Sequence, residues 1–221
     1  FIEERELTVI FAVDLSASGD FGTVHKAKNE LAAEFCAVLA FAAAKNNDKV
    51  GLLIFTDRVE RYIPPQKGTN HMLRLIRELL YFSMPRRKTD VSRALEYLAQ
   101  VLNKRATIFL VSDFLEADFG KTLTLLNRRH DVIAVAVEDR AERELPNVGL
   151  IEFVDAETGQ RQLVDTSSRR FRERYRRLST QRFDELQALL RRSNVDCINI
   201  STQRPYIQEV VRFFQMRRRR L

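Results

Sequence analysis

The stretch LTVIFAVDLSAS, residues 7–18, decides the fold. Leu7–Val13 is a nearly continuous apolar run rich in β-branched residues, and it stops at Asp14. A strand without polar alternation has both faces covered, which is the mark of a parallel sheet rather than a half-solvated antiparallel one. Four further runs read the same way: Val50–Phe55 (VGLLIF), Ala106–Val111 (ATIFLV), Asp131–Val137 (DVIAVAV) and Cys197–Ile200 (CINI). Helical spacing fills the intervals. Leu31, Phe35, Leu39 and Ala43 repeat every four residues over 25–45. Met72, Leu75, Ile76, Leu79 and Leu80 share a face over 70–82, and Val91, Ala94, Leu95, Leu98 and Val101 do so over 90–102. A short helix is expected over 121–129 and a long helix or helix pair over 168–194, with Phe171, Tyr175, Leu178, Phe183, Leu186, Leu189 and Leu190. Pro205 suits the first turn of a last helix carrying Ile207, Val210, Val211 and Phe214.

Strands alternating with helices predict a doubly wound, Rossmann-like α/β sheet, mostly parallel, with helices on both faces and right-handed crossovers. Glu60–Ile63 follows the second strand too closely for a crossover helix, so that pair is expected to be a hairpin with an antiparallel edge strand. Ile151–Asp155 and Arg161–Asp165, joined through Glu157, Thr158 and Gly159, predict a second hairpin. Residues 1–221 are expected to form a single domain with a basic helical region at about 168–221. The chain opens at Phe1 rather than Met and is expected to be a fragment lacking an N-terminal segment.

Composition narrows the possible functions. Apolar residues make up 45% and charged residues 30%, which argues against disorder and against a coiled coil. No apolar run reaches the roughly 18 residues of a membrane span. Cys36 and Cys197 lie far apart in apolar stretches, which excludes a disulfide framework and points to a reducing, cytoplasmic compartment with inert core thiols. His25, His71 and His130 show no zinc spacing and are expected at the surface or at helix ends. The net charge is +7, unevenly placed. Residues 168–221 hold 15 arginines and five acidic residues, a net +10, against −3 for the other 167. Arg169–Arg177 interleaves with Phe171, Tyr175 and Leu178 at helical spacing, so an amphipathic helix with a solvated basic face is the expectation. Nucleic-acid or acidic-partner binding there is the alternative, weakened by the lack of a recognisable stacking module.

Ligands of open α/β sheets bind outside the carboxyl ends of the strands, where the winding reverses. The first strand ends in Asp14-Leu15-Ser16-Ala17-Ser18, and the Ala106–Val111 strand ends in Ser112-Asp113. Thr89-Asp90 opens the helix at 90–102. Asp14, Ser16 and Ser18 alternate as the chain leaves an extended strand and can point to one side. Asp14, Ser16, Ser18, Thr89 and Asp113 thus offer two carboxylates and three hydroxyls with no soft ligand. Such donors select Mg²⁺, Mn²⁺ or Ca²⁺ over Zn²⁺. Competing roles exist for each: capping turns for Asp14, Ser16 and Ser18, helix capping for Thr89 and Asp90, and a plain ion pair for Asp113. Asp57, Glu138 and Asp139 also end strands and are expected to be solvated loop residues.

Asp14-x-Ser16-x-Ser18, then Thr89, then Asp113, resembles the metal-ion-dependent adhesion site of von Willebrand factor type A domains. The resemblance covers roughly residues 7–202, with the three segments in matching order. It implies that Ser16, Ser18 and Thr89 approach the metal directly and that Asp14 and Asp113 act mostly through water. FIEERELTVIFAVDLSAS, KNNDKVGLLIFTDRVERYIPPQKG, RRKTDVSRALEYL and VSDF are similar to the bacterial branch of these proteins, of uncharacterised function, that is typically encoded beside MoxR-type AAA+ ATPases. That likeness implies a metal-dependent protein-interaction module working with such an ATPase in chaperone-like assembly or activation of complexes. A partner protein would offer a carboxylate to the metal. One departure stands out: many relatives carry Gly after the third-segment Asp, and here it is Phe114. The enzymatic alternative is aspartate-based phosphotransfer with Asp14 as nucleophile. Ser16 then stands where a second Asp should supply acid/base chemistry, and no Lys follows Val111 before Lys121.

Overall fold

The computed structural model describes residues 6–20, 27–82, 88–116, 118–154 and 159–219. In chain order the elements are β1 (Thr8–Asp14), α1 (Lys28–Lys45), β2 (Lys49–Phe55), β3 (Val59–Gln66), α2 (Thr69–Leu80), α3 (Val91–Val101), β4 (Thr107–Ser112), α4 (Gly120–Arg129), β5 (Asp131–Glu138), α5 (Arg140–Arg143), β6 (Leu150–Val154), β7 (Arg161–Asp165), α6 (Arg169–Arg192), β8 (Asp196–Ser201) and α7 (Ile207–Arg218). A single 3₁₀ turn, Ala17–Asp20, follows β1. The main sheet has the order β3-β2-β1-β4-β5-β8. All its pairings are parallel except β2 with β3, so the fold is the mostly parallel α/β sheet with an antiparallel edge strand that the apolar runs predict.

The nearly continuous hydrophobicity of β1 has its expected cause. Val9, Phe11 and Val13 enter one core layer with residues of α1, α2 and α7. Ile10 and Ala12 enter the opposite layer with residues of α3, α4 and α6. Phe11 stacks on Phe109 of β4 at 5.5 Å between ring centres. Each buried aromatic or branched side chain here contributes about 1.5–3 kcal/mol by leaving water.

The expected long helix and second hairpin both form, and other details differ from the sequence expectations. The 168–194 segment is one helix, α6, and among its residues only Leu190 is fully buried. The second hairpin exists as a separate two-stranded sheet of β6 and β7, with its expected link through Glu157 and Thr158 outside the described residues. Pro205 lies just ahead of α7 rather than within its first turn, since Tyr206 occupies the N-cap. Helix α5 had no periodic signal because it is a single turn. It forms because Asp139 accepts the Ala141 amide at 2.9 Å and Glu142 reaches back to the Asp139 amide at 3.1 Å, a reciprocal cap. Asp139 is therefore fully buried, also accepting the Thr202 hydroxyl at 2.6 Å, and is not a solvated loop residue. Among the described residues no helix is long and apolar enough to cross a membrane.

Candidate metal centre

Strand β1 leads to β2 on one side, while β4 and β5 lie on the other, so the winding reverses between β1 and β4. Asp14 ends β1 and Asp113 follows β4 directly, which puts both carboxylates at the switch point. Thr89 joins them because the Asp90 amide donates to the Thr56 carbonyl just beyond β2, at 2.9 Å, pinning that loop against the sheet edge.

Asp14 is buried, 7% exposed, and both of its oxygens are engaged. Oδ1 accepts the Ser16 amide at 3.0 Å. Oδ2 accepts the Ser112 hydroxyl at 2.6 Å and the Thr89 hydroxyl at 3.3 Å. Ser112 is in turn oriented by the Phe114 amide at 3.0 Å. Burial, with the Asp113 charge adding to it, pushes the Asp14 carboxyl up to about 6, against the hydrogen bonds from Ser112 and Ser16 that favour its charged form. The Ser16 hydroxyl stands 3.0 Å from that of Ser18 and accepts that of Thr89 at 2.8 Å. The extended alternation expected of Asp14, Ser16 and Ser18 is not how this happens. The chain enters the 3₁₀ turn at Ala17, and the turn brings Ser18 back beside Ser16. Gly19, third in that turn, packs close to Asn29, and a Cβ there would fall 1.9 Å from the Asn29 side chain and force it to shift.

Asp113 lines the same small cleft as Asp14, Ser16 and Ser18 but has its own partners. Its Oδ1 accepts a hydrogen bond from the Leu115 amide at 3.3 Å, and its Oδ2 accepts one from the Lys28 ammonium at 2.7 Å. The Lys28 ammonium also donates to Glu142 at 2.6 Å. The ion-pair alternative for Asp113 is thus realised, with a lysine that the sequence did not point to. Lys28 sits in the first turn of α1 and is 2% exposed. Burial works against its charge, yet the Asp113 and Glu142 carboxylates more than offset this and hold its pKa above the ordinary lysine value. Burial likewise raises the Glu142 carboxyl, opposed by Lys28.

Glycine is expected after Asp113 for a reason visible in the backbone. Phe114 has φ +52°, the left-handed region that side chains resist. Its ring is buried and packs on Phe119 at 5.5 Å, so burial offsets the strain. The remaining residues raised by the sequence are structural. Asp90 caps α3, accepting the Arg93 amide at 2.8 Å. His71 meets the Val50 carbonyl at 2.9 Å, and His130 ends α4 in a buried rather than a surface position. His25 lies outside the described residues. Cys36 is buried and burial raises its thiol pKa, while burial pushes Cys197 up to about 11, which suits inert thiols.

The donor set suits a hard divalent cation. Among the described residues no three His, Cys, Asp or Glu side chains gather as a ligand group, so hydroxyls would have to make the direct bonds. Adjacent ligands of an octahedral Mg²⁺ with bonds of about 2.1 Å lie roughly 3.0 Å apart. The Ser16–Ser18 and Ser16–Thr89 separations of 3.0 and 2.8 Å fit two such edges. The cleft lined by Asp14, Ser16, Ser18 and Asp113 holds about 10 Å³, on the order of one water or one ion, and Thr89 stands beside it through its bond to Ser16.

The order of the sheet, its antiparallel edge and the helices on both faces are those of a von Willebrand factor A-like α/β fold. Residues 1–184 match the family described as protein of unknown function DUF58, and the chain belongs to that family. Rv1480, an uncharacterized protein of Mycobacterium tuberculosis, is 28% identical over 225 residues, spanning 99% of this chain and 69% of that protein. BatB from Bacteroides thetaiotaomicron superposes with a TM-score of 0.63 at 16% identity, covering 95% of this chain and 99% of its own. An aerotolerance-related membrane protein from Bacteroides fragilis gives 0.62 at 17% identity, covering 89% and 92%. Both likenesses establish the fold.

Proposed function

We propose that this chain is a metal-dependent protein-interaction module. Ser16, Ser18 and Thr89 would bind Mg²⁺ directly, with Mn²⁺ or Ca²⁺ as substitutes, while Asp14 and Asp113 would act through water. A Glu or Asp carboxylate of a partner protein would complete the shell. The observation that carries this is the hydroxyl group of three: side chains 73 residues apart in sequence meet at 2.8 Å over a buried carboxylate. Few direct anionic ligands leave such an ion electrophilic, so an outside carboxylate gains by binding it. The likeness of the surrounding segments supports a MoxR-type AAA+ ATPase as collaborator, in chaperone-like assembly or activation of protein complexes in the cytoplasm. Phosphotransfer through Asp14 is disfavoured, because a nucleophile with both oxygens engaged and little exposure is poorly placed to meet a phosphoryl group.

Calorimetric titration of Mg²⁺ and Mn²⁺ tests the metal. The wild type should give a saturable heat, and Asp14→Ala should weaken binding about 10–100-fold, as for loss of other groups that orient metal ligands. Equal heats from both proteins would remove the metal. A pull-down with and without chelator then identifies the proteins that leave with the cation.

A further inference from the structure

Lys28 offers no oxygen to a metal, yet it holds Asp113 at the edge of the cleft. We propose that Lys28 is a built-in counter-cation that competes with the divalent ion for Asp113 and transmits the outcome to α5 and α6 through Glu142. The inference rests on the metal site proposed above and adds its regulation.

Three observations carry it. First, the ammonium is buried and lines the same cleft as Asp14, Ser16 and Ser18, so it shares the small space an ion would enter. Second, both Asp113 oxygens are already engaged, one by the Leu115 amide and one by Lys28. A hydrated ion that addresses Asp113 must share that carboxylate with the ammonium, and two cations repel strongly where water cannot screen them. The coupling is reciprocal: Lys28 weakens ion binding, and the ion weakens the Lys28–Asp113 bond to the same degree. Third, Lys28 has a second anchor. Glu142 holds it at 2.6 Å and also closes the cap of α5. Helix α6 grips that same turn, with the Ser179 hydroxyl donating to the Glu142 carbonyl and the Tyr175 hydroxyl to the Ala141 carbonyl at 3.2 Å. When the ion draws Asp113 away, Lys28 retains Glu142, and the change falls on the turn that positions α6. Lys28 is thus a positioning residue, acting on the ion through Asp113.

Two variants separate this from a purely structural role, because they are expected to move ion affinity in opposite directions. Lys28→Met removes the competing charge and should tighten Mn²⁺ binding by about tenfold or more. Glu142→Gln leaves the ammonium to Asp113 alone and should weaken Mn²⁺ binding by roughly threefold or more. Damage to the fold would weaken both. In the wild type, Mn²⁺ should also alter amide hydrogen exchange in α5 and around Tyr175–Ser179, and this response should vanish in Glu142→Gln. Should Lys28→Met fail to fold by circular dichroism, the exchange response of Glu142→Gln at saturating Mn²⁺ decides: its loss supports the role of Lys28, and a response equal to wild type overturns it. Affinities equal to wild type, or shifts in the same direction, overturn the role of Lys28 while leaving the metal site standing. A wild type that binds no Mn²⁺ overturns both.

Discussion

Helix α6 carries nine arginines and the carboxyl edge of the sheet carries one lysine, yet the lysine has the larger consequence. The arginines of α6 stand mostly in solvent: Arg169 is 86% exposed and its pair with Glu173 spans one helical turn at the surface. Lys28 is buried between two carboxylates. Water screens the first set and leaves each pair nearly free to dissolve. Far less water reaches the second, where the Lys28 and Asp113 side chains are 2% and 6% exposed and that of Glu142 28%. Counting charges along the chain draws attention to the C-terminal region, whereas burial assigns the energetic weight to the sheet edge.

The most forceful way to break this contrast is to delete the buried ammonium. Without cation, Lys28→Met leaves the Asp113 side chain, 6% exposed, and the part-exposed Glu142 without their shared counter-charge, and it should cost about 3 kcal/mol of stability. Denaturant unfolding in chelator measures it. A loss below about 1 kcal/mol would mean that water reaches the pair and that the contrast with α6 is false. Added Mg²⁺ should recover part of the loss, since the ion restores positive charge beside Asp113.

Asp14 sharpens the same point with the opposite sign. It is buried with hydroxyls and an amide rather than a cation, and its carboxyl rises to about 6 from the ordinary 3.8. Between those values the folded protein takes up a proton that the unfolded chain does not. Folding is therefore favoured as pH falls through the window, and above about 6 the full cost is present. In chelator, Asp14→Asn should be more stable than wild type by about 2–3 kcal/mol at pH 7.5, and the gain should fade toward pH 4. Saturating Mg²⁺ should reverse the order, because the ion favours the ionised carboxylate that Asn lacks. Thermal melts over that pH range, with and without Mg²⁺, check both signs. A pH-independent difference would mean that Asp14 titrates normally.

What the sequence made legible follows the same division between short-range pattern and burial. The sheet could be read because runs such as Val50–Phe55 and Asp131–Val137 are continuous, and continuity itself states that both faces are covered. Asp14, Ser16, Ser18, Thr89 and Asp113 could be picked out because they follow strand ends or open helices. Lys28, Ser112 and Glu142 were missed for a different reason. Lys28 begins a helix, where a lysine is ordinarily solvated, and nothing local says that its stem turns inward. Glu142 sits in a single-turn helix too short for any periodicity, although the Asp139-x-x-Glu142 spacing is the signature of a reciprocal cap and could have located it. Ser112 was noted as ending β4, but its bond to Asp14 depends on β1 and β4 being neighbours. Phe114 was visible as a departure, and its left-handed backbone supplies the physical meaning.

The smallest expected effect lies on α6, and its smallness is informative. Arg169→Gln breaks the bond to Glu173, an i,i+4 pair with both side chains well exposed. Its loss should lower the melting temperature by no more than about 1 °C, and less at high salt. Differential scanning calorimetry at low and high ionic strength resolves this. Arg172 is the internal contrast on the same helix, because its guanidinium donates to the Thr166 and Ser167 carbonyls and ties α6 to the end of β7. Arg172→Gln should therefore lower the melting temperature more than Arg169→Gln and show less salt dependence, since the lost bonds are to neutral carbonyls. If Arg169→Gln proved the more damaging of the two, exposure would be a poor guide to which charges matter in this fold, and the contrast between α6 and the sheet edge would lose its physical basis.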